Sequence, residues 1–71
     1  MLTIRDLVNN IQLEGRVEVR KAREDDAITV WVDNEFTGIT AELEPYADSE
    51  ITYMFPIGWT NNTGCIVIEI K

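Results

Sequence analysis

Apolar and polar positions follow two different rhythms along this chain. Ile4, Leu7, Val8 and Ile11 recur at i, i+3, i+4 and i+7, which lays one apolar stripe along a helix. Arg5, Asn9, Asn10 and Gln12 take its wet side. Thr3 predicts the N-cap, because its hydroxyl can accept a first-turn amide. Asp6, three residues on, completes a capping box and sits where the helix dipole favours negative charge. Leu2 is placed to pack on Leu7 as a hydrophobic staple, and Gly15 predicts the stop. A helix of about ten residues is marginal in isolation, so its stripe must dock on another element.

From Arg16 the period becomes two. Arg16 to Ala22 sets Val17 and Val19 against Glu18 and Arg20, and Ala27 to Val32 sets Ile28, Val30 and Val32 against Thr29 and Trp31. The polar run Arg23-Glu24-Asp25-Asp26 between them suits an antiparallel hairpin. Glu50 to Phe55 carries Ile51, Tyr53 and Phe55 in phase, and Pro56 ends that strand or places it at an edge. Cys65 to Ile70 carries Ile66, Ile68 and Ile70 in phase and predicts the partner strand of a second hairpin. Residues 33 to 49 predict a crossing loop or one short helix, with a helical turn starting near Thr40 that Pro45 limits. The reading is α+β: one short N-terminal helix packed on an antiparallel sheet of about four strands, a single domain over residues 1–71. The expected core is Leu7, Val8, Ile11, Val17, Val19, Ile28, Val30, Val32, Ile51, Tyr53, Phe55, Ile66, Ile68 and Ile70.

A chain of 71 residues suits one domain and buries only a modest core. Self-association is therefore one expectation. Trp31, Met54 and Val67 fall out of phase with the core set and would form an apolar patch on the sheet's second face, or residues 33 to 49 would fold over them. The opening MLTIRDL has no secretory pattern, no apolar run is long enough to span a membrane, and a single cysteine makes no internal disulfide. The expected compartment is cytoplasmic. The absence of histidine excludes Ser-His-Asp and Cys-His nucleophile systems and histidine metal sites.

Charge changes the picture most. The formal net charge is −7. Five of the six basic residues (Arg5, Arg16, Arg20, Lys21, Arg23) lie in the first twenty-three positions, and positions 24 to 70 hold ten acids and no base. Such asymmetry creates a strong local field. One reading takes Glu24, Asp25, Asp26, Asp33, Glu35, Glu42 and Glu44 as a partner-binding face that imitates nucleic-acid phosphates and fills a basic groove, since a groove built to bind DNA gains similarly from carboxylates. The plainer reading is a solvated acidic surface that keeps a small protein soluble. Direct nucleic-acid binding by Arg16, Arg20, Lys21 and Arg23 is opposed by the overall charge, and these residues suit cross-strand pairing with acids.

Asp25-Asp26 and Asp33-Asn34-Glu35 offer oxygen ligands but not the spacing of an EF-hand loop. Glu42 with Glu44, or Asp48 with Glu50, could serve acid–base chemistry by residue type alone, without partner groups or a deep pocket. Cys65 reads as a small buried residue, Asn61-Asn62-Thr63 as turn chemistry, and Gly58 and Gly64 lack the context of a phosphate loop. No catalytic residue, metal or cofactor is expected.

The opening Thr3-Ile4-Arg5-Asp6-Leu7-Val8, then Arg16-Val17-Glu18-Val19, with the late pair Glu50-Ile51-Thr52-Tyr53 and Ile66-Val67-Ile68-Glu69, resembles small acidic hypothetical proteins of phages and mobile elements of Gram-positive bacteria. Ile4-Arg5-Asp6-Leu7 and Ile28-Thr29-Val30-Trp31-Val32-Asp33-Asn34 are also similar to stretches of small acidic anti-CRISPR inhibitors that act as DNA mimics, although this chain ends in an apolar strand where that group has an acidic helical half. The resemblance implies a non-enzymatic inhibitor whose partner is a nucleic-acid-binding host protein with a basic groove, not nucleic acid itself and not a membrane. The alternative is a self-associating structural or accessory module, a homodimer built on Trp31, Met54 and Val67 or on an open sheet edge.

Overall fold

The structure, a computed structural model, describes residues 1–11, 15–31, 39–58 and 64–71. Helix α1 spans Ile4–Asn10, and strands β1 to β4 span Arg16–Lys21, Ala27–Trp31, Ile51–Gly58 and Gly64–Ile70. A 3-10 turn, Glu44–Tyr46, precedes β3.

The capping box at the start of α1 is complete. Thr3 Oγ1 accepts the Asp6 N–H at 3.1 Å, and the Asp6 carboxylate accepts the Thr3 N–H at 3.2 Å. The helix ends earlier than Gly15 predicts. Ile11 is already extended, and the Asn10 side-chain amide donates to the Asp6 carbonyl at 2.7 Å. Gly15 has φ +88 and serves as the left-handed residue at the entrance to β1 instead.

The sheet order is β2-β1-β4-β3. The two expected hairpins, β1–β2 and β3–β4, are antiparallel, and they join through a parallel β1–β4 pair, so the sheet is mixed. Parallel neighbours need a long crossover, and the stretch between β2 and β3 provides it by carrying the chain from one sheet edge to the other. Pro56 lies inside β3, which is an edge strand, where a missing N–H is tolerated. Near the end of the crossover Thr40 accepts the Leu43 and Glu44 amides, and Pro45 sits inside the first turn of the 3-10 segment, which it starts rather than limits.

The core lies between the sheet and the layer formed by α1 and residues 39–50. It comprises Ile4, Leu7, Val17, Val19, Trp31, Leu43, Ile68 and Ile70, with Val8, Ile28, Ile39, Tyr46 and Ile51 packed around it. Two bulges redistribute the expected inward set. Val19 pairs with Thr29 but Arg20 pairs with Ala27, so Ile28 is an extra residue in β2. Thr29 and Trp31 then share the face of Val19 and Val17, and Val30 turns outward. In β3, Ile51 pairs with Ile70 and Tyr53 with Glu69, which leaves Thr52 extra. Beyond it Tyr53, Phe55 and Ile57 face away from the helix, while Met54 and Pro56 share the helix side with Ile68 and Ile66.

Val30 and Tyr53, expected inside, are therefore exposed. Ile11, past the end of α1, and Ile66, on the helix side of β4, are exposed too, against the same expectation. Val32 lies outside the described residues. The central strand β4 is buried on both faces, with Cys65 and Val67 on one and Ile68 and Ile70 on the other, as a near-continuous apolar run allows.

Candidate interaction surfaces

Acidic loops gather at one end of the sheet. β1 and β4 run to that end, and β2 and β3 start from it, because the outer strands are antiparallel to the inner ones. The β1–β2 turn closes there: the Glu24 amide donates to the Lys21 carbonyl at 3.0 Å, and the Ala22 amide donates to the Ile70 carbonyl at 2.7 Å. Glu24, Asp25 and Asp26 are exposed on this turn. At the same end the Lys71 amide donates to the Glu50 carbonyl at 3.0 Å, the Ile51 amide donates to the Leu2 carbonyl at 2.8 Å, and Thr3 bridges Glu50.

The segment before β3 is tied to this end through the start of the helix. The Arg5 amide donates to the Ala47 carbonyl at 2.9 Å, and the Arg5 guanidinium reaches Asp48 Oδ1 at 2.9 Å and Glu44 Oε1 at 3.0 Å. Hydrogen bonds from Arg5 hold the Asp48 carboxyl below the usual aspartate range, and the two carboxylates raise the Arg5 pKa in return. Glu42 is exposed on the turn that leads into Glu44. Of the predicted acidic face, then, Glu24, Asp25, Asp26, Glu42 and Glu44 are exposed, and Asp33 and Glu35 lie outside the described residues. Lys21, Arg23 and Lys71 stand at the same end and Arg5 neutralises part of Glu44 and Asp48, so the acids there are interleaved with bases. Arg23 has φ +69, a left-handed conformation unusual for a residue with a Cβ.

The basic residues of β1 pair along their own strand. Alternation puts Arg16, Glu18 and Arg20 on one face, the side away from the helix. The Arg20 Nε–H donates to Glu18 Oε2 at 3.1 Å, and Arg16 Nη2 lies 3.7 Å from Glu18 Oε1. The Glu18 side chain is only 4% exposed.

The expected apolar trio does not form a patch. Trp31 is buried in the helix-side core, Val67 is fully buried on the other face, and of the three only Met54 is open to solvent. The bulges cause this: they place Trp31 inward in β2 and turn Met54 to the helix side in β3. The sequence reading missed a different apolar surface, an open groove of about 300 Å³ lined by Met54, Phe55, Pro56 and Ile66. Its signal was present, since residues 51–68 contain no charged side chain.

Among the described residues, no group of three or more His, Cys, Asp or Glu is arranged to hold a metal ion, and no helix is long and apolar enough to cross a membrane. Glu42 and Glu44, like Asp48 and Glu50, lie outside the groove, and Arg5 engages one carboxylate of each pair. Cys65 is a buried free thiol. Comparison with family models, with curated proteins and with solved structures finds no match to this chain.

Proposed function

We propose that this chain is a small non-enzymatic interaction protein that presents acidic loops to a basic groove on a nucleic-acid-binding protein, as a DNA-mimic inhibitor of the anti-CRISPR kind encoded by a phage or mobile element and acting in the host cytoplasm. The observation that supports the reading is topological. Two acidic segments far apart in sequence, the Glu24–Asp26 turn after β1 and Glu50 before β3, lie at the same end of the sheet, with Glu44 and Asp48 tied to that end through Arg5. Carboxylates placed together in this way offer a basic groove the same relief of charge that phosphates do. Their backbones are held by strand ends and hydrogen-bonded turns, so little ordering is needed on docking.

The test is capture of host proteins on the immobilised chain, with elution by salt and by duplex DNA. The reading predicts a catch that duplex DNA displaces, that fades as salt screens the contact, and that drops at least tenfold with the double variant Asp25→Asn, Asp26→Asn. A catch that persists in 1 M salt and ignores DNA contradicts it.

A further inference from the structure

The outer edge of β3 has the composition of a strand-pairing template. Its eight residues, Ile51–Gly58, carry no charged side chain and are rich in Thr, Tyr, Phe and Ile, which favour strands. An edge of that kind invites pairing with a further chain. The fold closes the start of the edge itself: the Ile51 amide donates to the Leu2 carbonyl at 2.8 Å, and Thr3 bridges Glu50. Beyond Ile51, no strand pairs with this edge among the described residues.

The register decides which backbone groups face outward. In an antiparallel ladder, alternate residues exchange both backbone hydrogen bonds with the residue opposite, and the residues between them point away. Pro56 stands opposite Ile66 and has no N–H to exchange. The hydrogen-bonded positions are therefore its neighbours, Phe55 opposite Val67 and Ile57 opposite Cys65. Met54, Pro56 and Gly58 direct their backbone groups outward. An added strand would meet amide donors at Met54 and Gly58, about 13 Å apart, and between them a proline ring where it needs a third.

We infer that Pro56 blocks strand addition at this edge and so keeps two copies of the chain from pairing β3 to β3. The N-terminal residues cover the start of the edge, and Pro56 interrupts the part they leave open. Without it, Ile51 to Gly58 would be an unbroken uncharged strand, long enough to template a partner. The net charge of −7 also opposes association, but repulsion of that kind fades in salt, whereas the missing donor does not.

Sedimentation velocity over a protein concentration series tests this, with the native chain compared to Pro56→Val and Pro56→Ala. High sodium chloride is used throughout, since all three proteins carry the same charge and are screened alike. Valine keeps the apolar bulk of proline and alanine reduces it, while both supply the absent amide. The expected result is self-association at least tenfold stronger for Pro56→Val than for the native chain, and stronger for Pro56→Ala too, with circular dichroism showing the fold intact. Amide hydrogen exchange locates the contact. In the native chain Met54 should exchange at least tenfold faster than Phe55 and Ile57, and in the associated Pro56→Val protein the amides at 54 and 56 should become protected. Variants that sediment like the native chain at every concentration overturn the inference. So does association that leaves the Met54 amide exchanging fast, or association of Pro56→Val alone, which would trace the effect to the valine side chain. The acidic-loop reading stands or falls separately, because neither variant alters an acidic residue.

Discussion

At Glu18 a carboxylate only 4% exposed is ion-paired to two guanidiniums from its own strand. Removing that charge while keeping the shape leaves Arg16 and Arg20 repelling each other over a buried site. Glu18→Gln is expected to lower unfolding free energy by about 2 kcal/mol, read from urea denaturation, and a loss under about 0.5 kcal/mol would mean the pair contributes little. Arg23 makes the opposite case. Its left-handed backbone strains a residue that has a Cβ, and glycine relieves the strain. Arg23→Gly should stabilise the protein by about 0.5–1 kcal/mol, and a net loss of stability would show that the Arg23 side chain makes a compensating contact.

At the scale of elements, α1 depends on its cap and on its tether to the segment before β3. Thr3→Ala removes the acceptor for the Asp6 amide and should cost about 1 kcal/mol in the same denaturation assay. The tether gives a pH dependence. Arg5 depresses the Asp48 pKa in the folded state, so the pairing stabilises the fold above the unfolded aspartate value and is lost as pH falls through the folded one. Melting temperature against pH should therefore decline more steeply in acid for the wild type than for Arg5→Gln, and parallel curves would show that the pair does not contribute. It is a surface interaction, so the difference is expected to be small.

The elements were legible because each has a local signature: Thr3 and Asp6 for the cap, alternating residues for the strands, Arg23–Asp26 for the turn. The faces were less so. Strand β2 has apolar side chains in both phases, Trp31 in one and Ile28 and Val30 in the other, so alternation cannot decide which points inward. The bulges at Ile28 and Thr52 depend on cross-strand pairing that no local pattern encodes. The parallel β1–β4 pair was hidden for the same reason, being a contact between residues about fifty positions apart. Leu43 and Ala47, both fully buried, escaped because they lie in a short turn with no clear period.

For the whole molecule, the described residues put an acidic turn, Glu24–Asp26, and Glu50 at the end where β1 and β4 finish. The proposed docking role requires that the acidic turns act as one electrostatic unit, not as separate solvated carboxylates. Nuclear magnetic resonance titration of the isotopically labelled chain with decalysine tests this most directly. The account predicts saturable amide shifts confined to residues 22–26 and 40–50, with those of β3 beyond Met54 unmoved. Small shifts spread evenly over all the exposed acids, without saturation, would contradict it.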